Sequence, residues 1–345
     1  MRDFAYARAA SPDEVVAARA AGAAIIAGGT EFLNWMRLGI ADTDAVVDIG
    51  HLAELRGITV EGGALRIGAL ATLNEIGGSE LVRTAAPVLS QACLAAASAQ
   101  LRNLATLGGN VLQKTRCPYF RVEAAAAGAM PWPCNKRAPG TGCAARESGY
   151  ARLALFGGTD ECVATQPSDP AVALAALDAT VHVAGADGPR EIPMTDFHLT
   201  QEEARRAHPA PGDAASVMAE NRLRRGELIV AYSVPVGDVS RHSAYLKVRE
   251  RESYEYALVA VAAAVALDGT RIRAARIALG SVAQKPWRLI PAETALAGQM
   301  LDEASVDRAL EAALAAARPL AGNEFKVVLA RNAARRALLT AGGVA

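Results

Sequence analysis

Two glycine pairs constrain this chain more than any other feature. Gly28-Gly29 ends the apolar run Ala23-Ala24-Ile25-Ile26-Ala27 and opens onto Thr30-Glu31-Phe32, and Gly108-Gly109 lies in Leu104-Ala105-Thr106-Leu107-Gly108-Gly109-Asn110. A glycine pair between an apolar strand and a helix lets backbone amides approach a phosphate closely. The helix N-terminus that follows favours negative charge at the same place. Thr30 adds a hydroxyl donor. Taken alone, each pair is more often only a tight turn with a left-handed glycine. Neither has the G-x-G-x-x-G spacing, so a Rossmann fingerprint is not supported. Two such turns about 80 residues apart, in an α/β context, fit a dinucleotide held between two lobes.

The pattern around the turns divides the chain into three units. Residues 1–55 read as a small βαβ-type lobe. Phe4–Ala7 is strand-like, Ser11-Pro12-Asp13-Glu14 carries N-cap, N1 proline and acidic signals for a helix running to about Gly22, and Val46–Ile49 is a second buried strand. Residues 56–225 form a second lobe. It starts with a hairpin, Ile58–Val60 and Ala64–Ile67 around Glu61-Gly62-Gly63, and continues with a helix from Pro87 to Ala99 and another from Asp169 to Asp178. Strands at 180–183 and 190–193 follow. The polar stretch 200–226 reads as a linker to a third unit, 226–345, that opens with the strand Glu227–Pro235. Ala257–Leu267 is readable as a strand or a helix, and helical patterns dominate after Ala292.

A length of 345 residues suits two or three domains. The charge is balanced, 36 basic against 36 acidic residues, which gives no basic stripe for nucleic acid. The longest apolar stretch, Ala257–Leu267, falls well short of the about 20 residues of a spanning helix, so direct membrane insertion is not expected. The start, Met1-Arg2-Asp3-Phe4-Ala5-Tyr6, has no secretory h-region. The histidines (His51, His182, His198, His208 and His242) are scattered, and no side chain is assigned a catalytic role.

Five cysteines in a chain without a leader argue against a disulfide framework. Cys117, Cys134, Cys143 and Cys162 fall within 46 residues rich in Pro, Gly, Lys and Arg, whereas Cys93 sits on an Ala-rich helix and reads as core. Nearby cations favour thiolates, and prolines and glycines let a loop wrap a compact centre. Four cysteines can hold zinc or a [4Fe–4S] cluster, and four free thiols are the third reading. The C-x₂-C pairs of structural zinc ribbons are missing.

Ala27-Gly28-Gly29-Thr30-Glu31 paired with Ala105-Thr106-Leu107-Gly108-Gly109-Asn110 resembles the FAD-binding subunits of the xanthine dehydrogenase and carbon monoxide dehydrogenase family. The resemblance covers nearly the whole chain. It extends to Ser168-Asp169, to Gly226-Glu227-Leu228-Ile229 and to Arg251-Glu252-Ser253-Tyr254-Glu255-Tyr256-Ala257-Leu258-Val259. It implies an α+β fold: a two-lobed FAD-binding domain of the vanillyl-alcohol-oxidase/PCMH type, then a C-terminal α+β domain of the CO dehydrogenase flavoprotein type. It also implies FAD contacts. Ile25, Ile26, Ala27, Gly28, Gly29, Thr30, Glu31 and Phe32 would wrap the diphosphate. Ala105, Thr106, Gly108, Gly109 and Asn110 would hold its other flank. Ser168 and Asp169 would lie near the adenosine half, and Leu228, Ile229 and Leu258 near the flavin, with Lys247 also at the cofactor. Read locally, Asp169 is a helix N-cap and Glu31 complements a helix dipole.

The cysteine segment, about 113–165, resembles an insertion found in a minority of these subunits, the periplasmic aldehyde oxidoreductase type among them. This implies a [4Fe–4S] cluster on Cys117, Cys134, Cys143 and Cys162. The implied partners are a large molybdenum-cofactor subunit, a small [2Fe–2S] subunit and an external electron acceptor. The compartment would be cytoplasm or periplasm, with export riding on a signal-bearing partner. Corresponding subunits of 4-hydroxybenzoyl-CoA reductase-like or xanthine dehydrogenase-like complexes are the alternatives within the family. A standalone flavin oxidase and a zinc-binding protein without redox function are the alternatives outside it.

Overall fold

A computed structural model describes residues 3–124, 129–207 and 217–344. The first lobe contains β1 (Ala5–Arg8), α1 (Pro12–Ala20), β2 (Ala24–Ile26), α2 (Phe32–Arg37) and β3 (Ala45–Asp48). Its strands are parallel in the order β1-β3-β2. Helix α1 starts where the sequence predicts: the Ser11 side chain accepts from the Glu14 amide and Pro12 occupies the first turn. Val15, Val16, Val47 and Ile49 form the core of this lobe, together with Leu55, Leu70 and Leu228.

The second lobe begins with the expected hairpin, β4 (Ile58–Glu61) and β5 (Ala64–Gly68). Helices α3 (Leu73–Gly78), α4 (Glu80–Ala85), α5 (Pro87–Ala95), α6 (Ala99–Arg102), α7 (Leu107–Val111) and α8 (Asp169–Ala176) follow, then β6 (Thr180–Ala184), β7 (Arg190–Pro193) and β8 (Leu228–Pro235). The single helix expected from Pro87 to Ala99 is two helices, because Ala97 takes a left-handed φ of 48° between them.

Strand β8 departs from the sequence reading. It was expected to open the third unit. Instead it lies in the middle of the second lobe's sheet, in the order β4-β5-β8-β6-β7. The reason is its two apolar faces. Leu228 packs into the first lobe's core, while Ile229, Tyr232 and Val234 pack into the second's. A strand buried on both faces belongs in a sheet's interior rather than at the start of a new unit. The stretch expected as a linker contains the helix Gln201–Ala207 and then residues 217–226, which bond back through Leu199 to Glu220 and Arg222 to Phe197; part of that linker, 208–216 with His208, lies outside the described residues.

The C-terminal sheet is antiparallel, ordered β12-β11-β10-β9, from β9 (Ser243–Val248), β10 (Val259–Asp268), β11 (Arg271–Gly280) and β12 (Trp287–Arg288). The ambiguous run at 257–267 is thus a strand. Val259, Val261, Ala263 and Val265 face the helices Ile290–Leu296, Glu303–Leu314 and Phe325–Ala341. Ala262 and Ala264 on its other face join the second lobe's core, where their small side chains admit α5 and α8. Among the described residues, no helix is long and apolar enough to cross a membrane.

Candidate functional site

The two glycine turns meet. A Cβ on Gly28 would stand 1.8 Å from the carbonyl oxygen of Leu104, so the first loop lies against the chain that leads into the second turn. Gly29 has φ +69°, which favours glycine. In the second turn, the Gly108 amide donates to Ala69 O (2.9 Å) and the Gly109 amide to the Thr106 side chain (3.2 Å). Thr106 is the N-cap of α7. Asn110 accepts from Ser168 Oγ (2.6 Å) and from Gln113 Nε2 (3.1 Å), which fixes its amide at the turn's end.

Between the lobes is a cleft of about 270 Å³. Most of the residues expected at a cofactor line it: Ile25, Ala27, Gly28, Gly29, Thr30, Glu31, Phe32, Ala105, Thr106, Gly108, Gly109, Asn110, Leu228 and Ile229. Ile26, Ser168, Asp169, Lys247 and Leu258 are not among its lining residues. Asp169 and Lys247 are deeply buried partners instead, Nζ to Oδ2 at 2.8 Å, and Tyr245 OH donates to the other Asp169 oxygen at 2.6 Å. Burial pushes the Tyr245 phenol well up, so it stays a donor. Ser168 caps α8 through the Ala171 amide. Leu258 bonds through its amide to Val248, where β9 and β10 join. Sequence reasoning missed Arg19, Trp35, Leu112, Gln113 and Leu223 on the cleft wall. Trp35 follows Glu31 by one helical turn, a spacing that could have marked it.

Among the described residues, three charged ones line the cleft: Arg19, Glu31 and Glu227. Both carboxylates are neutralised from outside it. Arg190 holds Glu227 through two bonds, of 2.6 and 2.7 Å. Glu31 is held by Arg116 and Arg121. Arg19 keeps a buried Nε without a hydrogen-bond partner among the described residues. The net result suits an anionic diphosphate, which would meet paired carboxylates, a guanidinium and backbone amides.

The four clustered cysteines converge. Cys117, Cys134, Cys143 and Cys162 line one cavity with Tyr119, Phe120 and Lys136. Cys134 and Cys143 face each other across an isolated antiparallel bridge. Asn135 closes that turn by accepting from the Gly140 (3.0 Å) and Gly142 (2.9 Å) amides. Burial pushes the Cys117 thiol up to about 12, opposed by the amides of Phe120 and Tyr119. Burial also raises Cys162, to about 11, opposed first by Lys136. Beside them Lys136 pairs with Glu220 (2.9 Å), which also holds Lys114 (2.6 Å). These two lysines outweigh burial and keep the Glu220 carboxyl at about 2. Among the described residues, no group of three or more His, Cys, Asp or Glu side chains is placed to hold a metal ion. Cys93 is fully buried in the second lobe's core, where burial raises its thiol strongly.

Fold and cleft together define a two-lobed dinucleotide-binding protein with a third, antiparallel-sheet domain. Residues 2–237 match the FAD binding domain in molybdopterin dehydrogenase, and residues 244–341 match the CO dehydrogenase flavoprotein C-terminal domain. The chain belongs to this family of FAD-binding oxidoreductase subunits. It is 41% identical, over 96% of each chain, to the aldehyde oxidoreductase FAD-binding subunit of Escherichia coli K12. It is 26% identical to the carbon monoxide dehydrogenase medium chain of Hydrogenophaga pseudoflava, over 92% of this chain and 88% of that one. A solved carbon monoxide dehydrogenase from the same organism shares the fold at a TM-score of 0.73, with 23% identity over 99% of this chain and 98% of that one.

Proposed function

We propose that this chain is the electron-transfer subunit of a three-subunit molybdenum-dependent aldehyde oxidoreductase. It would take electrons from a [2Fe–2S] subunit and deliver them to an external acceptor, with a large molybdenum-cofactor subunit oxidising the aldehyde. The 41% identity over nearly the whole chain supports the aldehyde class over the other members. Bound FAD supplies a carrier that exchanges electrons at potentials tuned by its surroundings. The chain's own work is to bind and shield. The amides of the first glycine loop and Arg19 would receive the diphosphate, the Gly108 and Gly109 amides being bonded within the protein, and Leu228 and Ile229 present an apolar wall.

The observation that carries the finer reading is the convergence of the four cysteines on one cavity. We assign to them a [4Fe–4S] cluster. A tetrahedral zinc with Zn–S of about 2.3 Å draws its sulfurs to within about 3.8 Å of one another. A four-iron cube spaces its thiolates further apart and takes four cysteine ligands, the number that lines this one cavity. Amides directed at Cys117, Cys134 and Cys162, with Lys136 at hand, would stabilise bound thiolates.

The test is iron, sulfide, zinc and flavin content of the chain purified with its partners. About four irons per chain beyond the partner's clusters, lost in Cys134→Ser while flavin stays, supports the reading. Flavin without extra iron removes the cluster and leaves the FAD subunit standing. A colourless protein containing zinc defeats the proposal entirely.

A further inference from the structure

Glu31 belongs to the first glycine loop, yet its carboxylate is gripped by the cysteine segment. One oxygen accepts from Arg116, and the other from Arg121 (2.9 Å) and from the Trp35 indole (2.9 Å). The two arginines lie 85 and 90 residues further along the chain and do not line the cleft. Both are largely buried, at 17% and 14% side-chain exposure, and both are anchored beyond Glu31. Arg121 donates to the carbonyls of Thr115 (2.8 Å) and Lys114 (3.1 Å). Arg116 donates to Gln113 (2.9 Å), and its guanidinium lies 4.3 Å over the Tyr256 ring of the third domain.

We propose that Arg116 and Arg121 are positioning residues for FAD, holding the loop Gly28–Phe32 in its phosphate-receiving shape through Glu31, so that FAD affinity depends on the order of the segment around Cys117. Two physical effects combine. A carboxylate held at both oxygens cannot swing, and the loop that carries it keeps its course past Gly29. The arginines also cancel a negative charge on the wall that faces an anionic diphosphate. Without them, Glu31 would repel the ligand it now helps to seat. The inference rests on FAD occupying the cleft and is independent of what the cysteines hold.

The test uses the full chain with its partner subunits, stripped of FAD, with rebinding followed by flavin fluorescence quenching. Arg121→Met is expected to weaken FAD binding on the order of tenfold, although Arg121 does not itself line the cleft. Adding Glu31→Gln to Arg121→Met should restore most of the loss, because a charge then offset by Arg116 alone is removed; a merely structural arginine would not be rescued in this way. The unfolding temperature of the FAD-free form serves as the structural control. Affinity within twofold of wild type in Arg121→Met, or a double variant whose loss is the product of the two singles, overturns the proposal. If Arg121→Met does not fold, Arg121→Lys, which keeps the charge but loses the fork, should weaken FAD by about threefold or more, and an unchanged affinity is again fatal. A wild-type chain that rebinds no FAD would instead defeat the assignment of the cleft.

Discussion

Gly28 lies so close to Leu104 that a side chain at position 28 would overlap the Leu104 carbonyl oxygen at 1.8 Å. Backbone meets backbone here, so no side-chain rotation relieves the contact. Gly28→Ala should therefore part the two turns and lower FAD affinity at least tenfold, measured as flavin retained after gel filtration and as the rebinding constant. Gly62→Ala is the control. Gly62 has φ +57° and nothing near its missing Cβ, so it should cost about 1 kcal/mol of stability and leave FAD bound.

Asp169 and Lys247 tie α8 to β9 inside the protein, with side chains 7% and 4% exposed. Lys247→Met leaves a buried carboxylate whose remaining side-chain partner among the described residues is Tyr245 and should destabilise the chain by about 3–5 kcal/mol in denaturant. Lys247→Met with Asp169→Leu should recover much of that. Equal losses in the single and double variants would show that the pair is not what matters.

His198 makes stability depend on pH. It is buried, and burial holds its ring at about 4, opposed by the Val111 carbonyl. The unfolded chain, at about 6.5, takes up a proton between these values that the folded chain refuses. Stability is therefore full above about pH 6.5 and falls as pH drops toward 4, by about 3 kcal/mol. Glu220, held at about 2, adds a further loss below about pH 4.5. Denaturant curves for His198→Gln should show a much flatter slope between about pH 6.5 and 4 than wild type.

The thiols should differ in reactivity. In metal-free chain, Cys143 is the least buried of the five and should be alkylated first, with Cys93 last. Peptide mapping after timed alkylation gives the order, and early labelling of Cys93 would contradict its place in the core.

The first glycine turn was legible because its requirement is local: the left-handed φ of Gly29 and the missing Cβ of Gly28 can be met by one residue type, whereas Gly108 and Gly109 lie in α7 with no left-handed φ. The cysteine segment was legible because spacing and composition stand out in one stretch. The partnerships were not. Glu31 looked like a complement to a helix dipole, and nothing in the sequence pointed to Arg116 and Arg121, which reach it only after the second lobe has folded. Asp169 and Lys247 were expected at the cofactor, and their pairing across α8 and β9 became visible only in the fold. Strand β8 shows the same limit. Its apolar run was evident, but a run says nothing of which sheet will receive it.

That placement of β8 has a consequence for how the chain can be divided. A fragment ending near residue 225 would carry β5 and β6 without the strand that joins them, and a first lobe lacking Leu228 from its core. Neither half of the dinucleotide-binding region is therefore a portable module. A cut between Pro235 and Ser243 would spare β8, yet it would take Ala262 and Ala264 from the second lobe's core and Lys247 from Asp169, so the region leans on the third domain as well.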